Sequence, residues 1–242
     1  MSSSECIAYL AGFFDGEGSI SFNTDHRSGY QYYDLRIGQT VEKPLYEYVK
    51  MFGGKIYKRT QLTRGGKPYY TYRVVDQDLI VQILICLYPH LIVKEEKAQA
   101  VLDRFGLSVP DSNEDVLNGY FAGMFDAEGS INIDKRKCSG HVRVRQNLEH
   151  ICRLFQAEFG GGVYQSVTQA GNSTFEWRLP ISSLERFSNN IRPYLILKRG
   201  QFDLFYEMSK ITGVRMDSCD PVKREWAVYK FMLAKAISDM NN

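Results

Sequence analysis

Two glutamates each lie near the end of a short segment that occurs twice in the chain. Glu17 belongs to residues 10–20, and Glu128 holds the same position in residues 121–131, 111 residues later. Each segment reads as the last turns of a helix stopped by a glycine. The C-terminal end of a helix is electrically negative and disfavours acids, so both glutamates indicate a bound cation. A hard divalent ion fits, because magnesium is commonly held by one or two carboxylates plus phosphate oxygens.

A second acid precedes each glutamate by two positions. We interpret Asp15 and Asp126 as capping or hydrogen-bonding residues of the helix ends rather than as metal ligands. Glycine inside a helix costs about 1 kcal/mol relative to alanine, so a stripe of small residues indicates close packing of two helices. Such residues recur at every fourth position of both helices, at Ala8, Gly12 and Gly16 and at Gly119, Gly123 and Ala127. The two acidic helix ends are therefore predicted to converge.

The similarity between the two halves of the chain extends beyond these segments. Three further stretches recur at offsets that drift from 107 to 104, as loop deletions would produce: residues 35–39 as 142–146, 52–54 as 159–161, and 88–94 as 192–198. Internal repetition predicts two similar structural units. We place a first repeat at residues 1–107 and a linker with turn-forming residues at 108–114. A second repeat, with an additional C-terminal helix, covers 115–242.

Within each repeat the pattern predicts a helix, two strands, a helix, two strands and then further helices. In the first repeat we predict strands over residues 30–41, 55–62 and 69–75, and helices over 43–53, 79–87 and 95–105. Lys43-Pro44 places proline in a first helical turn, residues 64–67 supply hairpin glycines, and Asp76 caps the next helix. Residues 224–240 predict a C-terminal helix. This order is typical of an α+β fold.

Composition excludes several classes of protein. With 242 residues and 44% hydrophobic content, the chain can build its own cores, and no apolar run approaches the roughly 18 residues of a membrane span. The lack of such a run predicts a soluble chain, and five scattered cysteines without C-x-x-C spacing predict a reducing compartment, such as an organelle matrix or a prokaryotic cytoplasm. A zinc site is disfavoured, because no standard finger has the spacing of Cys138, His141, His150 and Cys152.

Positive charge is concentrated in two stretches, although the formal net charge is only +2. Neither stretch contains an acid, and the remainder of the chain is net acidic. The basic residues are Lys55, Lys58, Arg59, Arg64, Lys67 and Arg73 in the first stretch, and Lys135, Arg136, Lys137, Arg143 and Arg145 in the second. The positive charge is therefore local.

Both copies of the repeated segment resemble the LAGLIDADG motif, and over about residues 7–205 the chain resembles a single-chain LAGLIDADG homing endonuclease. The resemblance implies two pseudo-symmetric αββαββα repeats whose antiparallel sheets form a DNA-binding saddle, with the motif helices packed at the interface. It implies a monomer that hydrolyses both strands of a long, asymmetric duplex target and leaves short 3′ overhangs.

The resemblance also implies the metal ligands and their helpers. Two or three Mg²⁺ ions would be shared by Glu17 and Glu128, which stand where the family name has aspartate, and Mn²⁺ or Ca²⁺ would substitute for binding. The remaining implied site residues come in pairs, one from each repeat. Backbone carbonyls of Gly16 and Ala127 would complete the ligand set, Gln39 and Gln146 would position the attacking water, and Lys94 and Lys198 would stabilise charge on the phosphate.

Strand alternation divides each predicted sheet into a buried and a solvent face. With Leu35, Ile37, Val142 and Val144 pointing inward, the alternate residues would face the major groove of DNA, which admits β-ribbons. The predicted contacts are Tyr30, Tyr32, Asp34, Arg36, Lys135, Arg136, His141, Arg143 and Arg145. Where the strand register is ambiguous, the further candidates are Tyr57, Arg59, Thr71, Arg73, Glu176 and Arg178.

Two other functions are found on the same scaffold. Loss of the motif acids or of the paired lysines would favour a non-catalytic DNA-binding protein, but both pairs are present here. An RNA splicing maturase is the second alternative, and nothing in the residues excludes an added maturase activity.

Overall fold

The computed structural model of the chain describes residues 3–60, 62–63, 66–108, 117–167, 171, 173–214 and 219–240. It has two compact units, which divide between Ala127 and Glu128. The first contains α1 (Ser3–Glu17), β1 (Gly18–Thr24), β2 (Gln31–Gln39), α2 (Lys43–Phe52), β3 (Lys55–Lys58), β4 (Tyr70–Val74), α3 (Gln77–Leu87), α4 (Glu95–Arg104) and all but the last residue of α5 (Asn118–Glu128). The second contains β5 (Gly129–Asp134), β6 (Ser139–Gln146), α6 (Glu149–Phe159), β7 (Gly162–Val167), β8 (Ser173–Pro180), α7 (Glu185–Ile191), α8 (Arg199–Lys210) and α9 (Pro221–Met240).

Each unit has one four-stranded antiparallel sheet. The strand orders are β1-β2-β4-β3 and β5-β6-β8-β7, so the repeats share one topology. The central strands of each sheet bury one apolar face, because alternate side chains of a strand point to the same side. These buried residues include Leu35, Ile37 and Tyr72 in the first sheet and Val142, Val144, Trp177 and Leu179 in the second. The predicted α+β fold and the predicted inward residues are confirmed.

Local sequence signals set several of the element ends. Asp76 caps α3 by accepting the Leu79 N–H at 3.0 Å, and Gly53 ends α2 with a positive φ of 76°. Helix α9 begins before the predicted residue 224, because Asp220 accepts the N–H of Val222 at 3.0 Å. Strand β3 ends at Lys58 instead of residue 62. Residues 64–65 of the predicted hairpin and 109–114 of the predicted linker lie outside the described residues.

Helices α1 and α5 pack backbone to backbone within the first compact unit. A Cβ on Gly12 would overlap the carbonyl oxygen of Tyr120, and a Cβ on Gly123 would overlap that of Tyr9. The close packing predicted from the small-residue stripes is confirmed. This packing holds α5 to α1, and all but the last residue of α5 belongs to the first compact unit. The boundaries at 1–107, 108–114 and 115–242 follow the sequence repeat and stay a prediction.

The aspartates of the two motif helices bind across this contact. The Tyr9 hydroxyl donates to Asp126 at 2.9 Å, and the Tyr120 hydroxyl donates to Asp15 at 2.8 Å. Burial raises the pKa of Asp15, against the opposing effect of hydrogen bonds that the carboxylate accepts. The backbone N–H groups that donate to it belong to Ile92, Val93 and Lys94. The interpretation of both aspartates as hydrogen-bonding residues is confirmed.

In the described parts of the chain, no helix is both long enough and apolar enough to cross a bilayer.

Candidate metal centre and nucleic-acid interface

The carboxylate of Glu17 lies where α1 ends and β1 begins. It is half-buried, and Gln39, at the end of β2, donates its side-chain Nε2 to Glu17 Oε1 at 3.3 Å. The side-chain oxygen of Gln39 accepts the Thr40 N–H at 2.7 Å. Since the amide oxygen is occupied by the backbone, its nitrogen is turned towards Glu17. The motif acid and the strand-end glutamine of the first repeat are thus in contact.

Lys94 reaches the same helix end from a distant part of the chain sequence. Its ammonium group donates to the backbone carbonyl of Asp15 and lies 5.8 Å from the centre of the Phe14 ring. Its own N–H donates to the Asp15 carboxylate at 2.9 Å. Both the backbone and the side chain of Lys94 are therefore held against the last turn of α1. The structure brings Glu17, Gln39 and Lys94 together around one helix end.

The groups around this helix end fit a hard divalent cation. The carboxylate of Glu17 and the backbone carbonyls of the last helical turn, including that of Gly16, are oxygen donors, and the helix dipole adds negative potential. Within the described residues, no three His, Cys, Asp or Glu side chains are grouped closely enough to hold an ion by themselves. Magnesium commonly completes such a partial ligand set with phosphate oxygens.

The second repeat has the same residue types at the same points of its elements. Glu128 ends α5 and is exposed, Gln146 ends β6, and Lys198 directly precedes α8. Ala127, the residue before Glu128, is half-buried like Gly16 in the first repeat. The pattern predicted from the repeat is therefore reproduced by the secondary structure.

Aromatic and basic residues cover the solvent face of the first sheet. Arg36 on β2 pairs with Arg73 on β4, and Tyr57 on β3 pairs with Thr71 on β4, which resolves the register that the sequence left ambiguous. Tyr30 and Tyr57 are more than half exposed. The predicted face is confirmed for the arginines and these tyrosines, because all share the side opposite the apolar core. Tyr32 stacks on Tyr30 with ring centres 6.3 Å apart.

Two residues predicted to contact DNA from this face are instead buried in it. The Asp34 side chain is 1% exposed beneath Arg36 and Arg73, with salt bridges of 2.5 and 2.7 Å. Although burial opposes ionisation, hydrogen bonds from the two arginines lower the pKa of Asp34. Thr71 is only 9% exposed. Both predictions of direct contact with DNA are corrected, because a contact needs exposed atoms. On this face the exposed atoms belong to the neighbouring side chains.

The second sheet has a corresponding arrangement with one more arginine. Arg143, Arg145 and Arg178 surround Glu176, which is 5% exposed and lies 3.1 and 2.8 Å from the first two. Burial opposes ionisation here too, yet hydrogen bonds from Arg178 and Arg145 lower the pKa of Glu176. The prediction that Glu176 contacts DNA directly is therefore corrected in the same way. On the same face, burial and the charges of Arg178 and Arg143 lower the pKa of His141.

The remaining predicted contacts lie at the margins of the sheets. Lys135 and Arg136 are exposed in the turn between β5 and β6, where the Asp134 carboxylate accepts the Arg136 N–H at 3.0 Å. Arg59 lies just beyond β3, with its guanidinium 4.7 Å from the centre of the Tyr69 ring. These positive groups are accessible to a polyanion.

Two residues of the sheet faces were missed by the sequence reasoning. The centre of the Tyr164 ring lies 4.9 Å from the guanidinium carbon of Arg178. Lys55 on β3 pairs with Arg73 on β4 in the first sheet. Tyr164 stands 107 residues after Tyr57, the offset that relates neighbouring parts of the two repeats. Extending the repeat alignment through the third strand would have identified it.

Comparisons with known proteins agree with this geometry. Residues 10–104 match the family model described as LAGLIDADG endonuclease. The chain is 31% identical over 131 residues to a reverse gyrase of Pyrococcus horikoshii and 24% identical over 183 residues to the intron-encoded RNA maturase bI4 of Saccharomyces cerevisiae. These matches cover 54% and 71% of this chain, but the chain spans only 7% and 26% of the length of the two relatives.

Solved structures with the same fold match nearly the whole chain. The I-LtrWI LAGLIDADG homing endonuclease bound to target DNA has a TM-score of 0.61 at 15% identity, over 96% of this chain and 97% of that one. I-GzeII in complex with a DNA target has a TM-score of 0.62 at 14% identity, over 93% and 96%. I-SmaMI, bound to uncleaved DNA with calcium ions, has 0.61 at 13% identity, over 98% and 99%.

These findings define a class of two-repeat α+β protein with an acid at the end of each motif helix. Residues 10–104 match the LAGLIDADG endonuclease family model, and the fold of LAGLIDADG homing endonucleases extends over nearly the whole chain. The resemblance inferred from the two sequence motifs is confirmed.

Proposed function

We propose that this chain is a site-specific endonuclease that cuts both strands of a long, asymmetric DNA duplex and uses a divalent metal. The observation that carries the proposal is the gathering of Glu17, Gln39 and Lys94 at the end of the motif helix. The sheet faces support it, because they present arginines and tyrosines that differ between the repeats. The family model and the DNA-bound neighbours support the same activity.

The residues of each repeat would have three distinct tasks. The acids Glu17 and Glu128, with the carbonyls of Gly16 and Ala127, would hold Mg²⁺, and Mn²⁺ or Ca²⁺ would replace it for binding. When bound, the cation supplies Lewis-acid activation of water and phosphate. Gln39 and Gln146 orient the attacking water. Lys94 and Lys198 place a positive charge beside the phosphate as negative charge develops on it. One cut per strand leaves short 3′ overhangs.

The test begins with selection of bound duplexes from a random library in Ca²⁺, followed by cleavage in Mg²⁺. Wild-type protein is expected to linearise a plasmid carrying a selected site. Glu17→Gln and Glu128→Gln should each abolish double-strand cleavage while retaining binding, because each removes one charged ligand of a cleavage centre. Glu225→Gln, on the exposed side of α9, is the matched control and should cleave normally.

Two results would contradict the proposal in different ways. Wild-type protein that binds its selected site tightly but never cuts it is a non-catalytic DNA-binding protein. Full cleavage by either glutamine variant removes that glutamate from the catalytic centre while leaving the activity itself established.

An RNA splicing maturase is the second candidate, because 71% of the chain matches an intron-encoded RNA maturase. If the chain has this activity, it should accelerate splicing of the intron that encodes it, and Glu17→Gln should splice as well as wild type. A host intron that splices at an unchanged rate with and without the protein would exclude the added activity.

A further inference from the structure

Each sheet carries one buried carboxylate on the face that otherwise presents arginines. Asp34 is covered by Arg36 and Arg73 in the first sheet, and Glu176 is covered by three arginines in the second. A buried acid weakens the attraction of such a face for a polyanion, and exposed arginines would remain hydrated without it. Neither the affinity of this face for a polyanion nor the hydration of its arginines therefore explains why an acid is present here.

The atoms that meet in the first sheet show which part of each arginine remains available. Arg36 donates Nε and Nη2 to the Asp34 carboxylate at 3.0 and 2.5 Å. Arg73 donates the same two nitrogens, at 3.1 and 2.7 Å. A guanidinium has five N–H donors, so both hydrogens of Nη1 and one of Nη2 are left. That end of the group matches O6 and N7 of guanine in the major groove.

The arginines of the second sheet differ in the residues they bind and in their exposure. Arg145 donates Nε and Nη2 to Glu176 at 3.2 and 2.8 Å, and Arg178 donates Nε to the other carboxylate oxygen. Arg143 instead donates Nη1 to Glu176 at 3.1 Å and Nε to Ser130 at 2.7 Å. Arg143 thus joins two different residues of the protein, and its side chain is 31% exposed, against 56% for Arg145 and 46% for Arg178, so it acts as a brace.

The strand register places the available arginine ends at one position along the strands in the first sheet and at two positions in the second. Arg36 pairs directly with Arg73, at one level. In the second sheet Arg178 pairs with Arg143, whereas Arg145 pairs with Glu176, two residues nearer to Gln146. Two residues of a strand span about 6.6 Å, which is about two base-pair steps of DNA at 3.4 Å each. In the repeat alignment the counterpart of Arg145 is Gly38, which has no side chain to contact a base.

We propose that Asp34 and Glu176 are positioning residues that hold arginines for the recognition of guanine. In the half of the target bound by the first sheet, Arg36 and Arg73 donate to guanine at one position along the duplex. In the other half, Arg145 and Arg178 read G·C pairs about two base pairs apart. This inference rests on the proposed binding of duplex DNA through the sheets, and it adds the base identity and spacing.

The test is a base-by-base binding profile in Ca²⁺, starting from the duplex selected with wild-type protein. The wild-type profile should contain two G·C preferences about two base pairs apart in one half. Glu176→Gln should reduce both preferences by roughly 5- to 100-fold in relative affinity and leave the other half unchanged. Asp34→Asn should relax only the opposite half. Arg145→Lys should flatten only one of these two positions, the one on the Gln146 side of the sheet, and Arg143→Lys should flatten neither.

A purely structural role of the two acids would give a different result. Affinity would then fall for every sequence alike while each base preference persisted, and that outcome overturns the inference. If the variants fail to fold, the wild-type profile decides alone: a selected site without two spaced G·C pairs in one half contradicts the proposal. Failure to bind any duplex would instead contradict the proposed function, whereas binding and cleavage without these preferences contradicts only the inference.

Discussion

At the scale of the residue, polar side chains of the described sheets hold one another in place through hydrogen bonds and salt bridges. Glu176 touches three arginines, and Gln39 joins Glu17 to the backbone of Thr40. Each group thereby has a fixed orientation before any ligand arrives. Alternation along the strands predicted that the arginines point outward. It did not predict the burial of Asp34 and Glu176, because that depends on which residue of a neighbouring strand lies opposite.

The ionisation of Glu176 makes a pH-dependent contribution to stability. Its pKa in the folded protein is lowered from the ordinary value of a glutamate, which the unfolded chain retains. The contribution is therefore fully present above the unfolded pKa and is lost as the pH falls through the folded pKa. Glu176→Gln should lower the free energy of unfolding by about 2 kcal/mol at pH 7, as expected for hydrogen bonds to a charged group.

Urea unfolding from pH 7 to pH 3 checks this expectation. The difference between wild type and Glu176→Gln should narrow at the acidic end. Glu149→Gln, which removes an exposed pair with Arg153, should change the free energy by less than about 0.5 kcal/mol. A difference for Glu176→Gln that is the same at both ends would show that its ionisation does not contribute.

At the scale of the element, the packing of α1 against α5 depends on the absence of side chains. A Cβ on Gly12 or Gly123 would overlap a backbone carbonyl of the facing helix, and a backbone cannot move aside as a flexible side chain can. The small-residue stripes predicted this packing from spacing alone. The reciprocal bonds of Tyr9 and Tyr120 to the aspartates were not predicted, since they depend on the side-chain directions at the helix crossing.

Gly123→Ala should lower the free energy of unfolding by about 1–3 kcal/mol, as overpacking commonly does. Gly200→Ala in α8 is the matched control, because only the end of Met240, at 3.9 Å, approaches its new methyl group. Alanine is the better helix former, so this control should be neutral or slightly stabilising. Thermal and urea unfolding of both variants measure the effects. Equal stability of Gly123→Ala and wild type would contradict the described packing.

At the scale of the whole molecule, charge is distributed so that a nearly neutral chain has basic surfaces. The formal net charge is +2, yet Lys135, Arg136 and the sheet arginines are exposed or partly exposed. Contacts with phosphate supply affinity without base preference, and contacts with base edges supply specificity. We expect the turn lysine and arginine to make contacts of the first kind, because they lie outside the strands.

The double variant Lys135→Ala/Arg136→Ala should weaken binding to the selected duplex and to unrelated duplexes by a similar factor. The slope of log K against log salt concentration should fall by about 1 for each phosphate group that the variant no longer neutralises. Lys97→Ala, at an exposed position of helix α4, serves as control and should leave the slope unchanged. Fluorescence anisotropy over a range of salt concentrations measures both. Weakening confined to the selected duplex would assign these residues to base recognition.

The sequence by itself determined the duplication, the order of helices and strands, and the positions of the motif acids. These features are readable because periodicity and repeated motifs are local and survive without knowledge of the partner elements. Only the tertiary structure decided that Lys94 contacts the end of α1, that Asp34 and Glu176 lie beneath arginines, and that Arg143 is braced by Ser130. Each of those interactions joins residues whose separation in space depends on strand register and loop length, which the residue types alone do not specify.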